Sequence, residues 1–174
     1  MNTKCKSTSD IKSGDLLRWT GDNAGGKSDF YLKLVRFFTM SDYGHVSTAW
    51  RIGETLYHVE ATQPEIALNR VSFDQTFYHI PMCLEIENSH MQEFFGDKLG
   101  LKYSFIDAVC GYLGITLQDE DKWQCVELCN HFYKFMGLDV GEIYVPNKFI
   151  RAVMEKTGQP MIRYSTLNGQ GVAI

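Results

Sequence analysis

His45-Val46-Ser47-Thr48-Ala49-Trp50-Arg51-Ile52, then Gly53-Glu54, then Thr55-Leu56-Tyr57-His58-Val59-Glu60-Ala61, is the stretch that decides the fold. Two runs rich in β-branched and aromatic residues flank a two-residue connection containing glycine, the pattern of an antiparallel hairpin. Side chains alternate along a strand, so His58 and Glu60 share a face. His45 opens the first strand directly after a turn, Ser41 to Gly44, where an imidazole can project from a sheet edge into a cleft. Glu60 on the partner strand is placed to hold that ring by hydrogen bond and to favour the imidazolium. His58 is a reserve for the orienting role, or a second histidine at the same place.

Outward from the hairpin, Gly14-Asp15 opens a strand over Leu16–Trp19, and Asp29–Thr39 has the apolar spacing of an amphipathic helix. Downstream, short strands are expected over Val71–Phe73 and Phe77–Ile86, the latter bulged at Pro81. Helices follow over Asn88–Leu99, Tyr103–Leu113 and Lys122–Met136, the last stopped by Gly137. Pro146 opens another, running to Lys156 and closed by Gly158, and the tail from Met161 adds one edge strand. The order predicts an α+β protein, an antiparallel sheet packed against helices. At 174 residues it forms one domain over 14–174, with 1–13 as an N-terminal extension.

An apolar fraction of 44% with a net charge of −4 excludes disorder as the main state, and a pI near 5.7 offers no basic footprint for nucleic acid. The polar stretch Met1–Asp10 lacks the apolar core of a signal peptide, and no run is long enough for a membrane span. Five cysteines (Cys5, Cys83, Cys110, Cys125 and Cys129) form no paired framework and read as reduced thiols, so a cytoplasmic location without integral membrane contact is expected.

Two constellations carry chemistry. Cys125 lies in the first turn of the expected helix Lys122–Met136, where unpaired backbone N–H groups and the helix dipole favour a thiolate. The acidic run Asp119-Glu120-Asp121 opposes this where it lies close, and a thiol packed as a small hydrophobe is the bland alternative. Cys125, Cys129 and His131 are the nearest approach to a zinc set, but no C-x-x-C pair exists and two of the three point to different sides of a helix; no metal or other cofactor is expected. The second constellation is Gly21-Asp22-Asn23-Ala24-Gly25-Gly26-Lys27-Ser28, which matches G-x-x-x-x-G-K-[ST]. It lacks a strand ending in a magnesium-binding aspartate and the βαβ alternation of a parallel sheet. Nucleotide binding through it is therefore an alternative function rather than the leading one.

In order, these pieces resemble the circularly permuted, papain-fold cysteine hydrolases of the NlpC-like superfamily. The resemblance runs over Gly14-Asp15-Leu16-Leu17, Tyr43-Gly44-His45-Val46, Val59-Glu60-Ala61, Gly100-Leu101-Lys102-Tyr103, Cys125-Val126-Glu127-Leu128 and Pro146-Asn147-Lys148-Phe149. The histidine precedes the cysteine, which is the mark of the permuted branch. Gly44 stands where a serine is often found, and Val126 where a small hydroxyl residue is usual. The resemblance implies a permuted papain-like fold and a thiol amidase, peptidase or related acyltransferase, with Cys125 as nucleophile, His45 as base and Glu60 as orienting residue. Tyr103, Tyr43 and Gln124 are candidates for an oxyanion donor beside the Cys125 backbone N–H. It implies a peptide, a peptidoglycan fragment or an acylated small molecule as substrate. A papain-like module that binds a partner without turnover is a further alternative.

Overall fold

A computed structural model of the chain describes residues 6–20, 43–73, 76–104, 122–164 and 170–173. The quoted hairpin stands inside its main sheet. Strand β3 (Tyr43–Ile52) pairs antiparallel with β4 (Thr55–Ala61), in a register that sets Thr48 opposite Val59 and Ile52 opposite Thr55. Of the two turn residues Gly53 and Glu54, only Gly53 takes a positive φ, 58°, which is the demand of a two-residue II′ turn at its first central position.

Around it, among the described residues, the sheet has eight strands. In addition to β3 and β4 they are β1 (Lys6–Ser7), β2 (Leu16–Thr20), β5 (Ile66–Arg70), β6 (Phe77–Ile80), β9 (Ile162–Tyr164) and β10 (Gln170–Ala173), in the order β1-β10-β9-β6-β2-β3-β4-β5. Every pairing in it is antiparallel. A second, parallel pair joins β7 (Lys102–Tyr103) to β8 (Lys122–Trp123). Among the described residues the α-helices are α1 (Asn88–Phe95), α2 (Cys125–Phe135) and α3 (Pro146–Thr157), the last closed by Gly158 at φ 66°. The protein is thus α+β, with an antiparallel sheet against helices.

Several local expectations change. The strand from Phe77 ends at Ile80, before Pro81, because proline has no N–H to give a ladder. Val71–Phe73 is not a strand, and β5, which the sequence reading did not assign, takes that place one segment earlier. The tail strand β9 is interior, held between β6 and β10. Helix α1 stops at Phe95 and α2 starts at Cys125, while Tyr103 is a strand residue. Residues 6–11 are joined to the domain: β1 pairs with β10, Ile11 is fully buried, and Arg51 donates to the carbonyls of Ile11 and Thr8 at 2.9 and 2.7 Å.

Alternation along the strands builds a core on each face. Leu16, Val46, Trp50 and Val59 pack with Val126, Leu128, Phe132 and Phe149 of the helices. Leu17, Ala49, Leu56, Phe77, Ile162 and Tyr164 make the second, where the Phe77 and Tyr164 rings stack at 5.1 Å. Asp15 knots the entry to β2: its carboxylate accepts from the Lys12 and Met82 N–H groups at 2.9 Å each and lies 2.7 Å from Nε2 of buried His79. Buried carboxylates persist only when paired in this manner.

Candidate active site

Helix α2 begins where the sheet edge delivers it. Tyr103 N–H bonds the Pro64 carbonyl at 3.0 Å, Tyr103 pairs with Trp123 across β7–β8, and Ser104 N–H bonds the Trp123 carbonyl at 3.0 Å. These bonds fix the approach to Gln124, the N-cap of α2, whose own N–H donates to Glu127 Oε2 at 3.3 Å. The next residue is Cys125, the first of the helix. Residues at the period of Val126, Cys129 and Tyr133 are buried and seat the helix on β3, so the thiol is carried on a rigid element.

The thiol meets His45 at the start of β3, through a side-chain hydrogen bond. Nε2 of His45 faces Glu60 Oε2. The other Glu60 oxygen, Oε1, accepts from Asn69 Nδ2 at 2.8 Å. His58 lies behind, with Nδ1 3.2 Å from Ser47 Oγ and 3.8 Å from Glu60 Oε2, and its ring 4.7 Å from that of Trp19. Cys125 is only 8% exposed, and the His45 and Glu60 side chains only 18% and 14%.

Charges follow from this enclosure. Burial works to raise the Cys125 thiol, but the hydrogen bond and charge of His45 and the N–H groups of Val46 and Val126 outweigh it and lower its pKa. Burial works to lower His45, yet Glu60 and the bonds to Cys125 and Glu60 raise it from 6.5 to about 10. Glu60 resists the upward push of burial through the charge and hydrogen bond of His45, with help from His58 and Asn69, and falls from 4.5 to about 2. His58 is pushed down to about 4, by burial first and then by the charge of His45, with Glu60 opposing. At neutral pH His45 is an imidazolium, Glu60 a carboxylate and His58 a neutral imidazole, and the Cys125 thiol is more acidic than an ordinary cysteine.

Cys125, His45, Glu60 and His58, expected from sequence, therefore come together. Tyr103 joins them: burial and the nearby Cys125 charge both raise its pKa, so its phenol stays protonated and can donate. Gln124 is buried at the mouth of the helix. Tyr43 belongs to β3 by its backbone, and its side chain lies outside the described residues, as do the expected helix Asp29–Thr39, the Gly21–Ser28 loop, the rest of the helix expected after Tyr103, the Asp119–Asp121 run, Cys5 and Cys110. Cys129 is a buried packing residue that accepts from Thr48 Oγ1 at 3.6 Å, and burial raises its pKa. Sequence reading missed Asn69, because it sits on β5; the short run Ile66-Ala67-Leu68 after Pro64 was the signal for that strand. Among the described residues no group of three or more histidine, cysteine, aspartate or glutamate side chains is placed to hold a metal ion, and no helix is long and apolar enough to cross a membrane.

No protein-family model matches the chain, and no curated protein matches it. Among solved structures, the chain is similar in fold to the metalloprotein yiiX from Escherichia coli O157:H7, a DUF1105 protein, with a TM-score of 0.53. The two are 16% identical, over 84% of this chain and 82% of that one.

Proposed function

We propose that this protein is a cysteine hydrolase of the permuted papain-like kind, acting on an amide or other acyl bond. The observation that carries the proposal is the hydrogen-bonded series Cys125–His45–Glu60, with the thiol on the first turn of a helix. An apolar packing role for Cys125 has no use for an imidazole held against a buried carboxylate, whereas nucleophilic catalysis requires one.

The thiolate attacks the substrate carbonyl carbon, forming a C–S bond while the C=O electron pair moves to oxygen. That oxyanion is met by the Cys125 backbone N–H and the Tyr103 hydroxyl. Collapse breaks the bond to the leaving amine, which takes its proton from the His45 imidazolium. A water then gives a proton to His45 and attacks the thioester; the C–S bond breaks, the acid leaves and the thiolate is restored. Glu60 keeps the ring oriented and stabilises its cationic form throughout. A peptide, a peptidoglycan fragment or an acylated small molecule fits this chemistry, and an amine or alcohol in place of water would make the same site a transferase.

The test is hydrolysis of a panel of peptide amides and acyl esters by the wild type, Cys125→Ala and His45→Ala. Activity of the wild type that falls by about a thousandfold or more in each variant is expected. Full activity in either variant removes that residue from the mechanism.

A further inference from the structure

Resting on the thiol hydrolase proposed above, one residue outside the triad has a definable task. We propose that Asn69 is a positioning residue: its amide holds Oε1 of Glu60, so that Oε2 is the oxygen presented to His45.

The sheet register makes this possible. Asn69 stands directly opposite His58 across β4–β5, and Glu60 opposite Ala67, so Asn69 is the diagonal neighbour of Glu60 on the same face. Ala67 offers only a methyl group, which leaves the amide of Asn69 room to cross to the carboxylate. An ionised carboxylate only accepts hydrogen bonds, so the 2.8 Å contact to Oε1 is made by the amide Nδ2–H.

Glutamate has a broad, roughly two-fold terminal torsion, and its carboxylate turns freely unless both oxygens are engaged. Here the neighbours compete for it. His45 of β3, His58 of β4 and Asn69 of β5 surround it, with Cys125 of α2 beyond His45, and Ser47 of β3 and Trp19 of β2 against the His58 ring. His58 lies 3.8 Å from the same Oε2 that His45 uses. Occupying Oε1 with a neutral donor removes one degree of freedom without adding a charge that would compete with His45. Asn69 acts through Glu60, the group its amide bonds.

The experiment measures the rate of Cys125 alkylation by iodoacetamide against pH, read peptide by peptide, in the wild type, Asn69→Ala and Asn69→Gln, with the thermal midpoint of each. In Asn69→Ala the carboxylate loses a bond that favours its ionised form. The acid limb of the Cys125 profile should move up by about half a pH unit or more. Asn69→Gln, which restores an amide donor, should move it back toward the wild type. An Asn69→Ala profile superimposed on the wild type, with or without a lower thermal midpoint, overturns the proposal and leaves Asn69 a structural residue. A wild-type Cys125 that labels no faster than exposed Cys83 overturns the hydrolase beneath it, and is told apart because that result needs no variant.

Discussion

The Cys125 thiol and the His45 imidazole share a hydrogen bond although eighty positions of sequence separate them. That bond, in a site where Val46 and Val126 also point N–H groups at the sulfur, lowers the pKa of the thiol and favours the thiolate. Near neutral pH, iodoacetamide is expected to modify Cys125 before Cys83, the exposed thiol, and well before Cys129, whose pKa burial raises. Equal labelling of Cys125 and Cys83 contradicts the activated thiolate.

Replacing Glu60 by Gln keeps the shape of the site and removes its negative charge. His45 then loses the strongest influence that holds its pKa near 10, and the thiolate loses its cationic partner. Alkylation of Cys125 near pH 7 should slow by about tenfold or more, with the acid limb of the profile displaced upward. A rate profile indistinguishable from the wild type means that Glu60 does not govern the ring.

The two histidines bend the stability curve in opposite directions. His58 has a pKa of about 4 in the folded protein and about 6.5 when unfolded, so between these values the unfolded chain binds the extra proton. Stability should fall as pH drops from about 6.5 to about 4. His45 is raised to about 10, so its contribution is complete below about 6.5 and is lost as pH climbs through about 10. Glu60, depressed to about 2, contributes above about 4.5 and loses that contribution as pH falls through about 2. Urea unfolding of His58→Gln against the wild type from pH 4 to 7 isolates the first effect: the variant should show the shallower slope. Parallel curves would place the His58 proton elsewhere.

Asp15 is a structural carboxylate, not a catalytic one. It is 5% exposed, beside His79 at 1%, and takes N–H groups from Lys12 and Met82. Asp15→Ala leaves those donors and the buried ring without a partner, and should cost about 3–5 kcal/mol of folding stability. Denaturant titration measures it; a loss under about 1 kcal/mol would show that water replaces the carboxylate. Gly14 beside it has φ 85°, and a Cβ there would run into Cδ1 of Ile86, so Gly14→Ala should also destabilise, by about 1–3 kcal/mol.

Local chemistry made much of this legible. The β3–β4 hairpin, the helix closed by Gly158 and the stop of α2 before Gly137 follow from alternation, a two-residue glycine turn and left-handed glycines, which act over a few residues. Cys125, His45, Glu60 and His58 were also visible, as residue types at suitable ends of suitable elements. Long-range pairing was not. The tail strand was expected at an edge and is interior, and β5 was not recognised, because a run of five residues gains strand character only from the neighbour it pairs with.

By itself the sequence determined which groups could react and on which kind of element each would sit, since periodicity, capping and turn preference are properties of neighbouring residues. Only tertiary structure decided that a sulfur on a helix and a ring on a strand lie in contact, that Glu60 spends one oxygen on His45 and the other on Asn69, and that burial leaves His58 neutral while His45 is charged. Those outcomes depend on distance and desolvation between elements far apart in the chain, and a one-dimensional pattern holds neither quantity.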